Sequence, residues 1–64
     1  MFIEVNGIAY NLYSIAVVKK LELENGKDGI DYCIEYKSNS GGTLLEKFET
    51  EQARNTKYNS IINK

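Results

Sequence analysis

The stretch from Asp31 to Ser38 constrains the fold of this chain more than any other, because its side chains alternate in kind. Apolar or aromatic residues occupy every second position, at Tyr32, Ile34 and Tyr36, and the positions between them are mostly polar. A period of two in residues that favour a pleated backbone predicts a half-buried β-strand. Turn sequences rich in asparagine, aspartate, serine and glycine lie on both sides. We therefore expect this strand to be the centre of an antiparallel sheet.

Similar reasoning along the 64 residues predicts five strands followed by one helix. The strands are expected at about residues 2–5, 8–12, 15–24, 30–38 and 43–49, and the helix at about residues 50–63. Thr50 is a suitable N-cap, and Glu51 is well placed against the helix dipole. This order predicts a single α+β domain over residues 1–64, in which a small antiparallel β-meander of four to five strands is packed by one C-terminal helix.

Two local features set the register of the early strands. Asn6-Gly7 is a strong signal for a two-residue type I′ hairpin, since both central residues need positive φ. In the third strand, Lys19 falls among the apolar positions. Either Lys19 lies past a barrel-like bend in the strand, or a bulge near Val18 resets the register. The sequence leaves both alternatives open.

The alternation also predicts which side chains form the hydrophobic core. The central strand contributes Ile34, and the helix contributes a narrow apolar stripe near its C-terminus. The expected core comprises Ile3, Val5, Ile8, Leu12, Ile15, Val17, Leu21, Ile34, Phe48, Ile61 and Ile62.

Charge and composition argue against several classes of function. Eight basic and nine acidic residues give a net charge of −1, and the two signs are interspersed. This balance argues against a nucleic-acid or membrane binder driven by electrostatics. No apolar run approaches the roughly 18 residues that span a bilayer, and the N-terminal sequence lacks the features of a signal peptide. We expect a cytoplasmic protein.

The sequence also lacks the residue patterns of common catalytic and metal sites. Cys33 is the only cysteine and the chain has no histidine, which excludes a disulfide within the chain and argues for Cys33 as a small buried residue. The carboxylates around the third turn do not have the spacing of a calcium loop; they are Glu22, Glu24, Asp28 and Asp31. We predict no catalytic residue, no metal and no cofactor.

The five tyrosines are the main functional ambiguity. Tyr32 and Tyr36 suit a core position under the helix, whereas tyrosine is also favoured in protein interfaces. A sheet that displays tyrosines beside lysines can also stack single-stranded nucleic acid. The candidate interaction surface comprises Tyr10, Tyr13, Lys19, Lys20 and Tyr58.

The chain resembles a group of short proteins of phages and low-GC Gram-positive bacteria. The resemblance rests on the spacing of Val5-Asn6-Gly7, Tyr10-Asn11-Leu12, Ile15 and Val18, and on Phe48-Glu49-Thr50-Glu51 leading into Ile61-Ile62. In those proteins a strand meander is likewise followed by a C-terminal helix. They are uncharacterised, so the resemblance implies no functional residue.

These observations favour a non-enzymatic protein–protein interaction module. A short chain without catalytic groups suits a modulator or inhibitor of a host protein complex, encoded by a phage or mobile element. The alternative is a single-stranded nucleic-acid-binding β-sheet protein. We also expect a homodimer, because a chain of this length buries only a small core.

Overall fold

The computed structural model describes residues 1–26 and 29–63. It contains strands β1 (Phe2–Val5), β2 (Ile8–Asn11), β3 (Ile15–Asn25), β4 (Gly29–Ser38) and β5 (Thr43–Phe48), then helix α1 (Glu51–Ile62). A short 3₁₀ turn, Leu12–Ser14, separates β2 from β3. The α+β class is confirmed.

The five strands form two antiparallel sheets and not one continuous meander. One sheet is the β1–β2 hairpin, and the other has the order β3–β4–β5, with β4 in the centre as expected. The division falls at the 3₁₀ turn, where the Asn11 side chain accepts a hydrogen bond from the Tyr13 amide at 3.0 Å. The Ser14 hydroxyl donates to the Asn11 carbonyl at 2.7 Å. These local bonds turn the chain out of the hairpin before β3 begins.

The first hairpin has the predicted type I′ geometry. Asn6 and Gly7 have φ values of 53° and 84°, the positive region that this turn requires at both positions. The Glu4 carboxylate accepts a hydrogen bond from the Gly7 amide at 2.6 Å. The turn therefore sets the pairing of Val5 with Ile8.

A bulge at the start of β3 resolves the alternative left open by the sequence. The register against β4 shifts between Ile15 and Val17, after which Val18 pairs with Tyr36. The inward position therefore passes to Val18, which packs against the core, while Val17 is 43% exposed. The prediction of Val17 as a core residue is wrong because the extra residue of the bulge reverses the alternation.

The hairpin and α1 lie side by side on one face of the three-stranded sheet, hereafter the covered face. The buried cluster joins residues of β1, β4 and α1: Ile3, Val5, Ile34, Tyr36 and Ile61. Half-buried side chains pack around it: Tyr10, Leu12, Ile15, Val18, Leu44, Phe48 and Tyr58. Leu21 is half-buried, but it pairs with Cys33 and lies on the opposite face of the sheet, so its prediction as a core residue is wrong for the same reason as that of Val17.

Two more predicted core residues lie at the surface. Ile8 is 55% exposed because it stands at the turn end of the hairpin, and Ile62 is 52% exposed. Successive helical residues are about 100° apart, so Ile61 takes the inward position and Ile62 points away. The α1 N-terminus is as predicted, since the Thr50 hydroxyl accepts a hydrogen bond from the Ala53 amide at 3.1 Å.

Candidate functional site

The structure divides the five predicted interaction residues among three places. Lys19 and Lys20 pair with Glu35 and Ile34, so they lie on opposite faces of β3. The Lys20 ammonium lies 5.1 Å from the centroid of the Tyr58 ring, a cation–π contact that joins two of the predicted residues.

Tyr10 and Tyr13 form the second location, at the end of the hairpin. Tyr10 is half-buried against the core, whereas Tyr13 is 79% exposed in the 3₁₀ turn. Lys19 stands apart, on the face of the sheet that α1 does not cover. The five residues therefore do not form one surface.

Arg54 holds α1 against the sheet on the covered face. Its side chain is 2% exposed and donates to the Leu21 carbonyl at 3.2 Å and to the Glu22 carboxylate at 3.3 Å. The guanidinium carbon also lies 5.5 Å from the centroid of the Tyr32 ring. A guanidinium with several donors in one plane suits this position, because it satisfies a carbonyl and a carboxylate together.

A second polar network joins β4, β5, α1 and the hairpin. The Tyr36 hydroxyl donates to Glu46 at 2.6 Å, and the Lys57 ammonium lies 3.1 Å from the same carboxylate. Lys57 also donates to the Glu4 carbonyl at 2.5 Å. Burial, and next the hydrogen bond to Glu46, raise the pKa of Tyr36 well above its usual value.

We interpret these two polar networks as structural, because their groups bond to one another and to the backbone. Among the described residues, every buried side-chain nitrogen or oxygen has a hydrogen-bond partner. The charged groups are bonded to one another and to the backbone, and they hold α1 and the hairpin on the sheet.

A groove lies between the end of the hairpin and the adjacent end of the sheet. It has a volume of about 210 Å³, and we call it the hairpin groove. The described residues that line it are uncharged: Tyr10, Ser14, Ile15, Tyr36, Ser38, Gly42, Thr43 and Leu44. Two hydrogen bonds from Asn39 connect its two sides. The Asn39 backbone amide donates to the Ser14 carbonyl at 2.9 Å, and the Asn39 side chain donates to the Tyr13 carbonyl at 3.0 Å.

The turn between Ser38 and Gly42, which contributes to the lining of this groove, is also fixed by hydrogen bonds. The Ser38 hydroxyl accepts from the Gly42 amide at 2.9 Å, and Gly41 has φ of 99°, a conformation that favours glycine. The Ser14 hydroxyl is bonded to Asn11. Tyr10 also lines the groove, and its hydroxyl has no hydrogen-bond partner within residues 1–26 and 29–63.

The opposite face of the three-stranded sheet, hereafter the open face, has no helix or strand of the described chain over it. The registers place thirteen residues on it: Val17, Lys19, Leu21, Leu23, Asn25, Gly29, Asp31, Cys33, Glu35, Lys37, Thr43, Leu45 and Lys47. Leu23 and Leu45 are each 37% exposed. Cys33 is fully buried among its neighbours on this face, and burial raises the pKa of its thiol.

Both outer strands of this sheet carry features that hinder the addition of another strand. Arg54 reaches the backbone of β3 at Leu21, and the Asn6 side chain donates to the Leu45 carbonyl of β5 at 3.1 Å. The bulge and the adjacent Lys19-Lys20 pair also lie on β3. Bulges and edge lysines are recognised protections against strand addition.

Neither a metal site nor a membrane-spanning helix is found in the described part of the chain. No group of three histidine, cysteine, aspartate or glutamate residues there is arranged to hold a metal ion. Of the four carboxylates considered for calcium, Asp28 lies outside the described residues. Helix α1 has 12 residues and is too short to cross a bilayer. Among residues 1–26 and 29–63, no helix is long and apolar enough to span a membrane.

Comparison with known proteins gives no assignment: no family model, curated protein or solved structure matches the chain.

The sequence did not indicate the two polar networks or the groove. Arg54, Glu46 and Lys57 are separated from most of their partners by 10 or more positions, and no local pattern connects them. The one available signal was the placement of Arg54 beside the apolar stripe of the helix. Tyr36 was identified as a possible core residue from its alternation alone.

Proposed function

We propose that the protein is a non-enzymatic module that binds another protein through the hairpin groove. The observation that carries this proposal is an uncharged groove of about 210 Å³ beside Tyr13, which is 79% exposed. An uncharged pocket next to an exposed tyrosine suits an aromatic or large aliphatic side chain from a partner. Such anchoring residues carry most of the binding energy in many protein interfaces.

The size of the groove favours a partner side chain over a free small molecule. Small-molecule sites usually occupy about 300–1,000 Å³. At about 210 Å³ the groove is smaller than this range. Its hydrogen-bonded walls also need little rearrangement on binding, which reduces the entropic cost of association.

The distribution of charge supports this proposal over the nucleic-acid alternative. A strand of nucleic acid needs lysines or arginines that reach its phosphates together. Lys19 and Lys20 lie on opposite faces of β3, and Lys20 is held over Tyr58. Tyr36, one of the strand tyrosines, is buried in the core and cannot stack on a base.

Site-specific photo-crosslinking tests the proposal directly. A benzophenone side chain would be placed at Tyr13 in the intact protein, because its chain neighbour Ser14 lines the groove. The control position is Phe2, which is 64% exposed and has no groove-lining chain neighbour. We expect one protein of the source cell to crosslink from Tyr13 and not from Phe2. A purified form of that protein should then bind about tenfold more weakly to Tyr13→Ala than to Phe2→Ala.

Equal crosslinking from both positions, or equal binding by both alanine variants, would refute the groove as the binding site. The narrower expectation of a phage or mobile-element modulator of a host complex stays a prediction, and the identity of the crosslinked protein tests it.

Fluorescence anisotropy with labelled oligo-dT and a mixed-sequence RNA tests the alternative function. We expect no binding tighter than about 10 μM at physiological salt, since few phosphates can be neutralised together. Submicromolar binding that weakens with salt, and that is lost in Lys19→Glu, would favour the nucleic-acid reading.

A further inference from the structure

We infer that the hairpin groove receives an extended segment of the partner protein, which pairs with the outer edge of β2 as an additional strand. β2 belongs to a two-stranded sheet, and no described strand pairs with its outer edge. An exposed strand edge offers backbone hydrogen bonds to an extended chain, and a pocket beside it selects one side chain. This inference rests on the proposed function of the groove and specifies the conformation and chemistry of the segment bound there.

The pairing within the hairpin shows which backbone groups of β2 point outwards. The two-residue turn makes Val5 and Ile8 a hydrogen-bonded pair, and bonded and non-bonded pairs alternate along an antiparallel ladder. The Leu12 amide donates to the Met1 carbonyl at 2.9 Å, which continues the same alternation. Every second residue from Ile8 to Leu12 therefore bonds towards β1. The backbone N–H and C=O of Ala9 point the other way.

Ala9 has unused hydrogen-bonding groups at this edge. Within residues 1–26 and 29–63, its N–H and C=O have no hydrogen-bond partner, and the residue is exposed. The next outward-pointing groups belong to Asn11, whose carbonyl accepts a hydrogen bond from the Ser14 hydroxyl at 2.7 Å. A partner strand can therefore form two backbone hydrogen bonds at Ala9 and a further one at the Asn11 N–H.

The outer edge of β2 lacks the protections that the other strand edges carry. Its residues, Ile8–Asn11, are uncharged, and the register of the hairpin has no bulge. The edges of β3 and β5 carry lysines, and side-chain bonds from Arg54 and Asn6 reach their backbones. The edge of β1 is also contacted, since Lys57 donates to the Glu4 carbonyl. Among the described strands, β2 therefore has the edge that is most open to strand addition.

The groove lies on the same side of β2 as this edge. Of the two hairpin strands, only β2 contributes a described lining residue, Tyr10, whereas β1 faces α1. Directly opposite side chains of paired strands lie on one face of a sheet, about 5 Å apart. The partner residue opposite Tyr10 therefore points towards the three-stranded sheet, as Tyr10 does, and enters the groove. Its two neighbours in the segment pair with Ala9 and Asn11 and point outwards.

The lining of the groove defines the side chain that enters it. The groove is uncharged and has a volume of about 210 Å³, which suits one aromatic or large aliphatic side chain. The unpartnered Tyr10 hydroxyl can bond to a polar tip, which favours tyrosine at this position. β2 has only four residues, so few backbone bonds form and this anchor supplies much of the affinity. Proline is excluded opposite Ala9, because it has no N–H to donate to the Ala9 carbonyl.

Peptides selected on the intact protein from a random decapeptide display library test this inference. Ala9→Pro removes the outward N–H but no bond to β1, and proline is tolerated at such an edge position. Ala9→Thr is the matched control, because it changes the same exposed side chain and retains the N–H. We expect the selected peptides to bind Ala9→Pro at least about tenfold more weakly than wild type, and Ala9→Thr within about twofold.

Amide hydrogen exchange in the wild-type protein gives a second measurement that needs no variant. In the free protein, the Ala9 amide should exchange faster than the amides of Ile8 and Tyr10, which bond to β1. A selected peptide should slow exchange of the Ala9 amide by at least about tenfold.

Selection that yields no binder, unchanged binding to Ala9→Pro, or an Ala9 amide that the peptide leaves unprotected would overturn the inference. Protection of Ala9 that rises with protein concentration in the absence of peptide would assign the edge to a second copy, and would also overturn it. Binding that survives Ala9→Pro but is weakened by Tyr13→Ala would leave the groove as the binding site, whereas binding that neither variant weakens would refute both proposals.

Discussion

The covered and open faces of the three-stranded sheet are built from the same three strands, yet they differ in how their charged residues are used. On the covered face, Arg54 and Glu46 are buried and bonded to several partners each. On the open face, charged residues stand among leucines that are partly exposed, and Lys47 is 64% exposed. One face is filled by the chain itself, and the other remains available for contacts with another molecule.

This difference shows that period-two alternation alone does not identify which face of a small sheet is buried. Leu44 and Leu45 are neighbours in β5, but Leu44 packs on the core whereas Leu45 points to the open face. Both faces carry aliphatic residues. The position of the hairpin and α1 decides which of them is the core.

The largest expected effect comes from the centre of the covered face. Ile34→Ala should reduce the free energy of unfolding by about 2–5 kcal/mol, because Ile34 is fully buried. A domain of this length has a total stability of about 3–10 kcal/mol. Val17→Ala on the open face should cost less than about 1 kcal/mol, since Val17 is 43% exposed. Chemical denaturation of both variants makes the comparison, and equal losses would contradict it.

A somewhat smaller effect is expected at Arg54. Arg54→Ala removes hydrogen bonds to Leu21 and Glu22, and we expect a loss of about 1–3 kcal/mol. Lys47→Ala on the open face should cost no more than about 0.5 kcal/mol, because it removes one exposed ion pair. Arg54→Lys should recover only part of the loss, since an ammonium lacks the planar set of donors. Thermal melts that rank Lys47→Ala as the more damaging change would refute this reading.

Alkaline pH provides a third comparison between buried and exposed tyrosines. Burial and the bond to Glu46 raise the pKa of Tyr36 in the folded state, so the unfolded chain ionises first. The resulting stability is present below the unfolded pKa of about 10 and falls by about 1.4 kcal/mol per pH unit above it. Tyr36→Phe should lower the free energy of unfolding by about 1 kcal/mol at neutral pH. The variant should not show the additional loss of stability above the unfolded pKa of about 10 that ionisation of Tyr36 causes.

Tyr13→Phe is the control for that experiment, because Tyr13 is 79% exposed. Its stability should follow the wild-type pH profile between about pH 8 and 11. A Tyr36→Phe profile parallel to wild type across this range would show that the Tyr36 hydroxyl is not buried as described.

The local parts of the fold could be predicted from the sequence, because their causes are local. The Asn6-Gly7 turn and the Thr50 cap depend on a few adjacent residues, and both were correctly identified. The central strand was also correct, since its alternation is long and uninterrupted. The division into two sheets was missed because it depends on side-chain bonds of Asn11 and Ser14 within the 3₁₀ turn.

The candidate surfaces could be predicted only in part. Tyr10 and Tyr13 do lie near one groove, but Lys19 and Lys20 are separated by the pleat of β3. The sequence could not show which face the helix covers, because both faces of the sheet carry aliphatic residues. The partners of Glu46 and Arg54 lie on other elements, and the sequence has no pattern that joins them.

The most direct test of the two-face account compares lysine at two adjacent leucines of β5. Leu44 packs on the core, whereas Leu45 lies on the open face. The two substitutions replace the same residue type in the same strand, so they differ only in the face that receives the lysine. We expect Leu44→Lys to lower the free energy of unfolding by about 3 kcal/mol or more, because it buries a charge. Leu45→Lys should stay within about 1 kcal/mol of wild type. Urea denaturation that shows equal losses, or a larger loss for Leu45→Lys, would contradict the account.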